Sequence, residues 1–160
     1  MKHVSRRRFL YNIGAGIGST AVIAALPSFE NIPSEESSKY DGRKIRVALC
    51  GLGYYATNLL APALMESGYC QLAGIVTGTP AKAVAWKEKY KIPDKNIYNY
   101  QNFDDIAHNK EIDMVYVVTP NSMHKEFVIR AAKAGKHVIT EKPMATSVKD
   151  CEDMIKACKD

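Results

Sequence analysis

From residue 44 onward, short apolar runs alternate with segments of helical spacing. Four runs are IRVALC (45–50), QLAGIV (71–76), DMVYVVT (113–119) and HVIT (137–140), and a fifth, shorter one lies near Ile97 and Tyr98. Apolar runs of this length, bounded by turn residues, are typical of buried strands. Helical segments separate or follow them at residues 54–67, 81–90, 103–108 and 124–134, and a final helix is predicted after Ser147.

This order of strand, helix, strand and helix predicts parallel pairing, because two strands joined by a helical crossover run in the same direction. The helices then cover both faces of the sheet. We therefore predict an α/β fold, a Rossmann-type doubly wound parallel sheet. Gly135 is placed to cap the helix over 124–134, and Ser147 with Asp150 three residues later is typical of a helix N-cap.

The amino-terminal 29 residues differ from the rest of the chain. They contain SRRRFL (5–10) and then a Gly- and Ala-rich apolar run over 13–26. A twin-arginine pair before such a run resembles a bacterial twin-arginine (Tat) export signal, and the run is short for a membrane span. We predict an export signal at 1–29, a polar arm at 30–43 and an NAD(P)-binding domain at 44–160, in a periplasmic protein that meets the membrane only during export. An amino-terminal anchor or an amphipathic start is the alternative.

Charge and cysteine content exclude two classes of function. The chain carries a net charge of +5, but residues 1–29 contain four basic residues and no acidic one, so the rest is nearly balanced. No basic run interleaved with aromatic residues is present, which argues against a nucleic-acid partner. The four cysteines form no CxxC pair, and no HExxH motif occurs. We therefore predict no metal site.

The carboxyl ends of parallel strands form the ligand crevice in folds of this kind, so the residues after each strand carry the candidate chemistry. The first is GLGYYA, residues 51–56, between a strand and a helix. Gly51 permits a tight turn, Gly53 lets the backbone approach a pyrophosphate, and Ala56 lets the helix pack closely on the strand. This pattern in this position predicts dinucleotide binding.

The second segment, TGTPAK (77–82), bears on which dinucleotide binds. A site selective for NAD usually has Asp or Glu here to hold the ribose 2′-hydroxyl, and such a carboxylate repels a 2′-phosphate. Thr77 stands in that place, and Lys82 supplies a cation close by. We predict NADP rather than NAD; the alternative is a solvated Lys82 and NAD bound without an acidic anchor.

The third and fourth segments are TPNSMH (119–124) and TEKPMA (140–145). In the third, Asn121 can bond to a ribose, while His124 is open to two interpretations, a ligand in the crevice or a structural histidine. In the fourth, an ammonium beside apolar strand residues is costly to bury unless a partner or ligand meets it. With Glu141 as its partner, Lys142 would stabilise a developing alkoxide. A surface lysine in a loop is the alternative.

The combination of GLGYYA, PNSMHKEFVIRAAKAGKHV and EKPMATSVKDC resembles the nucleotide-binding domain of the Gfo/Idh/MocA oxidoreductases, and within that family the glucose–fructose oxidoreductase branch. The resemblance implies NADP held tightly, a sugar or polyol substrate and export by the Tat route. It also implies that Lys142 is catalytic and contacts both substrate and nicotinamide ribose, often with a cis peptide before Pro143. The predicted cofactor-binding residues are Gly51, Gly53, Tyr54, Tyr55, Thr77, Gly78, Lys82, Thr119, Pro120, Asn121, His124, Glu141 and Lys142.

The family also implies a second, α+β domain that supports homo-oligomers and completes the acid–base chemistry. The chain departs from this pattern, since it ends after the helix that follows Glu-Lys-Pro. The expectation is therefore an oxidoreductase represented by its nucleotide-binding domain and poorly active alone. An NAD-dependent glycosidase of the same family and a non-catalytic nucleotide-binding module are the alternatives.

Overall fold

The computed structural model describes residues 42–159. The predicted export signal and most of the predicted polar arm lie outside the described residues. The five strands form one parallel sheet in the order β3-β2-β1-β4-β5. They are β1 (Ile45–Cys50), β2 (Cys70–Val76), β3 (Ile97–Tyr98), β4 (Met114–Val117) and β5 (His137–Thr140). The predicted doubly wound α/β sheet is confirmed.

The helices fall where the sequence predicted them. A π-helical turn (Ala56–Leu60) leads into α1 (Ala61–Glu66), and the longer helices are α2 (Pro80–Tyr90), α3 (His124–Lys133) and α4 (Val148–Ala157). Short 3-10 helices cover Asp94–Asn96, Phe103–His108 and Asn121–Met123. Both predicted caps are present: Gly135 has a φ of +68°, and the Ser147 hydroxyl accepts the Asp150 amide at 3.1 Å.

The first helical segment is wound differently from the regular α-helix that its spacing predicted. Its π-helical turn ends where the Ala61 amide donates to the Ala56 carbonyl, five residues back. Pro62, the next residue, has no amide hydrogen and cannot donate to the carbonyl of Asn58. π-Helical turns are rare and occur mostly as single turns of this kind within α-helices.

Alternate residues of the central strand point to two separate cores, one on each face of the sheet. Ala48 and Cys50 belong to a core with α3, α4 and the 3-10 helix Phe103–His108. Val47 and Leu49 belong to a core with the π-helical turn, α1 and α2. This period of two fixes the register of β1, because a slip by one residue would exchange the two faces.

A salt bridge at the amino-terminal end of the sheet ties β1 to β4. Two nitrogens of the Arg46 guanidinium donate to the two carboxylate oxygens of Asp113, at 2.9 and 2.6 Å, and the Arg46 amide donates to Asp113 as well. These bonds lower the pKa of Asp113 to about 2. The carboxylate is therefore charged at neutral pH. It holds β1 against the start of β4 at the end of the sheet opposite the crevice.

Two kinds of feature are absent from residues 42–159. No helix in this part of the chain is long and apolar enough to cross a membrane. Nor does this part contain a group of three or more His, Cys, Asp or Glu side chains placed to hold a metal ion.

Candidate functional site

The candidate site is the crevice at the carboxyl ends of the strands, centred on β1. The crossover after β1 packs on one face of the sheet and the crossover after β4 on the other. In doubly wound folds a crevice opens where the crossovers change face, and ligands bind there. Hydrogen bonds beyond the strands hold its edges: Gly51 N–H to Val76 O at 2.9 Å, and Val118 N–H to Cys50 O at 2.8 Å.

The glycine loop has the geometry that its sequence predicted. Gly51 has a φ of +101°, and a Cβ added to it would lie 2.9 Å from the backbone of Val118 and Thr119. Any larger residue would therefore collide with the loop after β4. A Cβ added to Gly53 would meet nothing within 4 Å, so this residue borders open space. Ala56 is fully buried against the core beneath α1.

Lys82 reaches from α2 to this glycine loop. Its Nζ donates to the Leu52 carbonyl oxygen at 2.8 Å. This contact places the Lys82 ammonium between the end of β2 and the glycine loop. No Asp or Glu occurs from Thr77 to Lys82. This part of the crevice therefore carries a positive charge and, from Thr77 to Lys82, no carboxylate that would repel an anion.

Thr77 has a different place from the one expected of a direct cofactor contact. Its side chain is buried, and its hydroxyl accepts the Thr79 amide at 3.2 Å. Such a bond two residues on is a common turn former. The hydroxyl shapes the loop, while Gly78 and Thr79 carry the exposed surface. A Cβ added to Gly78 would lie 2.8 Å from the Tyr100 ring, so close packing requires this glycine.

His124 is fully buried, and both of its ring nitrogens lie beside backbone carbonyls. Nε2 is 2.9 Å from Thr119 O, and Nδ1 is 3.0 Å from Pro143 O. Since carbonyls only accept, a neutral ring donates to one of them and a protonated ring to both. The predicted cofactor contact of this side chain is corrected accordingly, because its position favours the structural alternative. His124 joins the loop after β4 to the Glu-Lys-Pro loop.

Lys142 is exposed, which corrects the argument from the cost of burying its charge. No carboxylate lies within ion-pair distance of its ammonium among residues 42–159. Glu141 contacts the backbone instead, since its Oε2 accepts the Lys142 amide at 3.2 Å. The Lys142–Pro143 peptide is cis, as the family resemblance implied. Glu141 therefore orients the main chain at Lys142 and leaves the ammonium free for a ligand.

Sequence reasoning missed Tyr116. Its hydroxyl donates to Glu141 Oε1 at 2.5 Å, and this bond first, with a smaller effect of Tyr55, lowers the pKa of the same carboxyl group. The only indication in the sequence was a tyrosine within an apolar strand. A tyrosine hydroxyl needs a hydrogen-bond partner when its ring is buried. Tyr55 was predicted as a cofactor contact, and its interaction with Glu141 was not foreseen. Tyr54, its neighbour, is largely exposed beside the glycine loop.

The residues at the crevice fit a dinucleotide. Gly53 borders open space beside the first turn of a helix, where free amides attract phosphate. Lys82 provides a cation one loop away. The Thr119 hydroxyl is buried at the crevice and has no hydrogen-bond partner among residues 42–159, while Pro120 and Asn121 beside it are exposed. These are groups that a phosphate, a ribose and a polar ring edge would satisfy.

The fold and this crevice together define a dinucleotide-binding domain of an oxidoreductase. Residues 45–160 match the family described as GFO_IDH_MocA, an oxidoreductase family with an NAD-binding Rossmann fold, and the chain belongs to that family. The resemblance read from the sequence is thereby confirmed.

Three relatives illustrate the family. The solved structure of aldose-aldose oxidoreductase from Caulobacter crescentus complexed with glycerol is 52% identical, with a TM-score of 0.72, over 73% of this chain and 35% of that chain. The WlbA dehydrogenase from Bordetella pertussis, in complex with NADH and UDP-GlcNAcA, is 30% identical with a TM-score of 0.64, over 73% and 34%. The D-xylose 1-dehydrogenase [NADP(+)] of Haloarcula marismortui is 31% identical over 114 residues, 71% of this chain and 31% of its own length.

Two facts follow from these comparisons. The chain spans about a third of the length of the relatives it matches. Relatives at similar identity are described with NADP or with NADH, so membership of the family establishes NAD(P) binding and leaves the choice between them open.

Proposed function

We propose that the complete protein is an exported, NADP-dependent oxidoreductase acting on a sugar or polyol, and that residues 44–160 hold the dinucleotide and one catalytic residue. The observation that carries the choice of NADP is the bond from Lys82 Nζ to Leu52 O, in a segment without a carboxylate. The sugar or polyol is supported by relatives whose names specify aldose or xylose.

Different residues at the crevice are proposed to bind different parts of the dinucleotide. In this proposal, the amides of the glycine loop bind the pyrophosphate, and Lys82 binds the 2′-phosphate through a charge-assisted hydrogen bond. Thr119 and Asn121 contact the nicotinamide half. When bound, the nicotinamide supplies the acceptor for a hydride.

Lys142 performs the electrostatic part of the reaction in this proposal. Its ammonium donates to the substrate hydroxyl oxygen and stabilises the negative charge that develops there as the proton leaves, and this charge assists departure of the hydride from the carbon. Because the ammonium has no carboxylate partner within residues 42–159, its charge is available to the substrate. The base that takes the hydroxyl proton is proposed to lie outside these residues.

Replacing Lys82 with alanine tests the choice of NADP. The change is expected to weaken NADP binding roughly 10- to 100-fold, the range for one charge-assisted hydrogen bond, and to leave NAD binding almost unchanged. Isothermal titration with each dinucleotide measures both constants. The matched control is Lys89→Ala on the same helix, whose ammonium lies 5.0 Å from the Tyr90 ring centre. An equal loss for NADP and NAD in Lys82→Ala would contradict a contact with the 2′-phosphate.

The export proposal depends on Arg6, Arg7 and Arg8. Replacing all three with lysine keeps the charge but removes the pair that the export machinery reads, so we expect the protein to remain in the cytoplasm. Cell fractionation measures its location, and Lys2→Arg is the control. Unimpaired appearance of the triple variant in the periplasm would contradict export by the twin-arginine route.

A further inference from the structure

Tyr116 connects β4 to the Glu-Lys-Pro loop through one carboxylate. Tyr116 donates its hydroxyl to Glu141 Oε1 at 2.5 Å. The other carboxylate oxygen of Glu141 accepts the Lys142 amide at 3.2 Å. Hydrogen bonds therefore run from Tyr116 through Glu141 to the backbone of Lys142.

The position of Tyr116 in the sheet explains why its hydroxyl reaches the Glu141 carboxylate. Its ring packs against the core beneath α1, on the same face of the sheet as Val118. Val117, next in sequence, faces the opposite core, where it is fully buried. In the parallel register Tyr116 lies beside Ile139 of β5, two residues before Glu141. Side chains two apart on a strand point to the same face, so the hydroxyl and the carboxylate meet there.

The electrostatics agree with this geometry. The hydrogen bond from Tyr116 is the largest cause that lowers the pKa of Glu141, and the Lys142 amide, Tyr55 and the Lys142 charge act in the same direction. Burial first, and then the bond to Glu141, raise the pKa of the Tyr116 hydroxyl. Glu141 is thus held as a carboxylate and Tyr116 as a neutral donor at neutral pH.

We infer that Tyr116 is a positioning residue for Lys142, acting through Glu141. This inference rests on the proposed catalytic role of Lys142. Two other groups hold the same loop: Glu141 N–H donates to Val117 O at 3.1 Å, and His124 lies against Pro143 O. Neither of these contacts restrains the Glu141 side chain, whereas the hydrogen bond from Tyr116 does.

Tyr116→Phe is the test, since it removes one oxygen and keeps the ring that packs in the core. The first readout needs no substrate. The Lys142 amide donates to Glu141, so its NMR shift follows the titration of that carboxyl group. Because Tyr116 lowers the pKa of Glu141, its removal is expected to move the titration midpoint to higher pH. The second readout, on the complete protein, is kcat, which we expect to fall roughly 10-fold while NADP affinity changes less than about threefold.

Tyr98→Phe is the matched control. Tyr98 lies on β3, and its hydroxyl donates to Lys95 O of the preceding 3-10 helix at 2.9 Å. It is expected to leave both the titration midpoint of Glu141, followed at the Lys142 amide, and kcat unchanged. An unchanged midpoint in Tyr116→Phe, or an equal fall of kcat in the two variants, would overturn the inference. The proposed function has a separate test, because full activity of the Lys142→Met variant would contradict it. That result would also leave Tyr116 without a catalytic ammonium to position.

Discussion

Replacing Lys142 with methionine is expected to lower kcat of the complete protein by roughly 100- to 1,000-fold, the usual cost of removing one donor to a developing oxyanion. Methionine matches the length of the lysine stem but carries no charge. Lys142 is exposed at the crevice, and its loop is held by Glu141 and His124 rather than by the ammonium. The fold and NADP binding should therefore persist. Steady-state kinetics with a sugar panel and titration with NADP measure the two effects.

Lys149→Met is the control for this result. Lys149 is another exposed lysine, on α4, and its ammonium lies 3.3 Å from an Asp153 oxygen. An exposed ion pair of this kind contributes little, so the variant should retain full turnover. Activity of Lys142→Met equal to that of the wild type would remove Lys142 from the mechanism. Loss of NADP binding together with turnover would instead make it a binding residue.

Replacing Gly51 with alanine is expected to lower the free energy of unfolding by about 3 kcal/mol or more. Two effects add: a φ of +101° is unfavourable for alanine, and the new methyl group would lie 2.9 Å from the backbone of Val118 and Thr119. The loops after β1 and β4 cannot move apart easily, because Val118 N–H bonds to Cys50 O at 2.8 Å. Urea denaturation followed by circular dichroism measures the change.

Gly53→Ala is the control in the same loop. Its added methyl group meets nothing within 4 Å in the protein, so stability should change by less than about 1 kcal/mol. Equal stability of Gly51→Ala and the wild type would show that the loops after β1 and β4 are not packed as described.

Much of this fold could be predicted from the sequence because its local signals agree with one another. Apolar runs marked every strand of the sheet, and even Ile97–Tyr98, two residues long, was placed correctly. Gly51 and Gly135 marked positive φ, and Ser147 marked a helix start. Such features depend on residues close in the chain, which a single sequence displays directly.

The errors concern side chains whose partners are distant in sequence or depend on fine geometry. Lys142 follows an apolar strand, yet β5 lies at the edge of the sheet, where the next residues reach solvent. The second partner of His124 is a carbonyl 19 residues away. Tyr116 and Glu141 lie 25 residues apart and meet only because β4 and β5 pair in one particular register. Composition and spacing carry no information about such pairs.

The arrangement gives the two ends of the crevice separate tasks. Lys82 and the glycine loop lie near the ends of β2 and β1, where the proposed 2′-phosphate and pyrophosphate would bind. Lys142 lies beyond β5, at the other end of the sheet. The backbone of Lys142 is connected through Glu141 to Tyr116 on β4. In the proposed function, binding of the dinucleotide and placement of the ammonium therefore depend on different residues.

A crystal structure of the protein with bound NADP is the decisive measurement for the proposed function. The proposed function predicts the 2′-phosphate within hydrogen-bond distance of Lys82 Nζ, the pyrophosphate against the amides of the glycine loop, and the nicotinamide ring beside Lys142. A dinucleotide bound with its 2′-phosphate away from Lys82, or with its nicotinamide at the end of the crevice remote from Lys142, would contradict it.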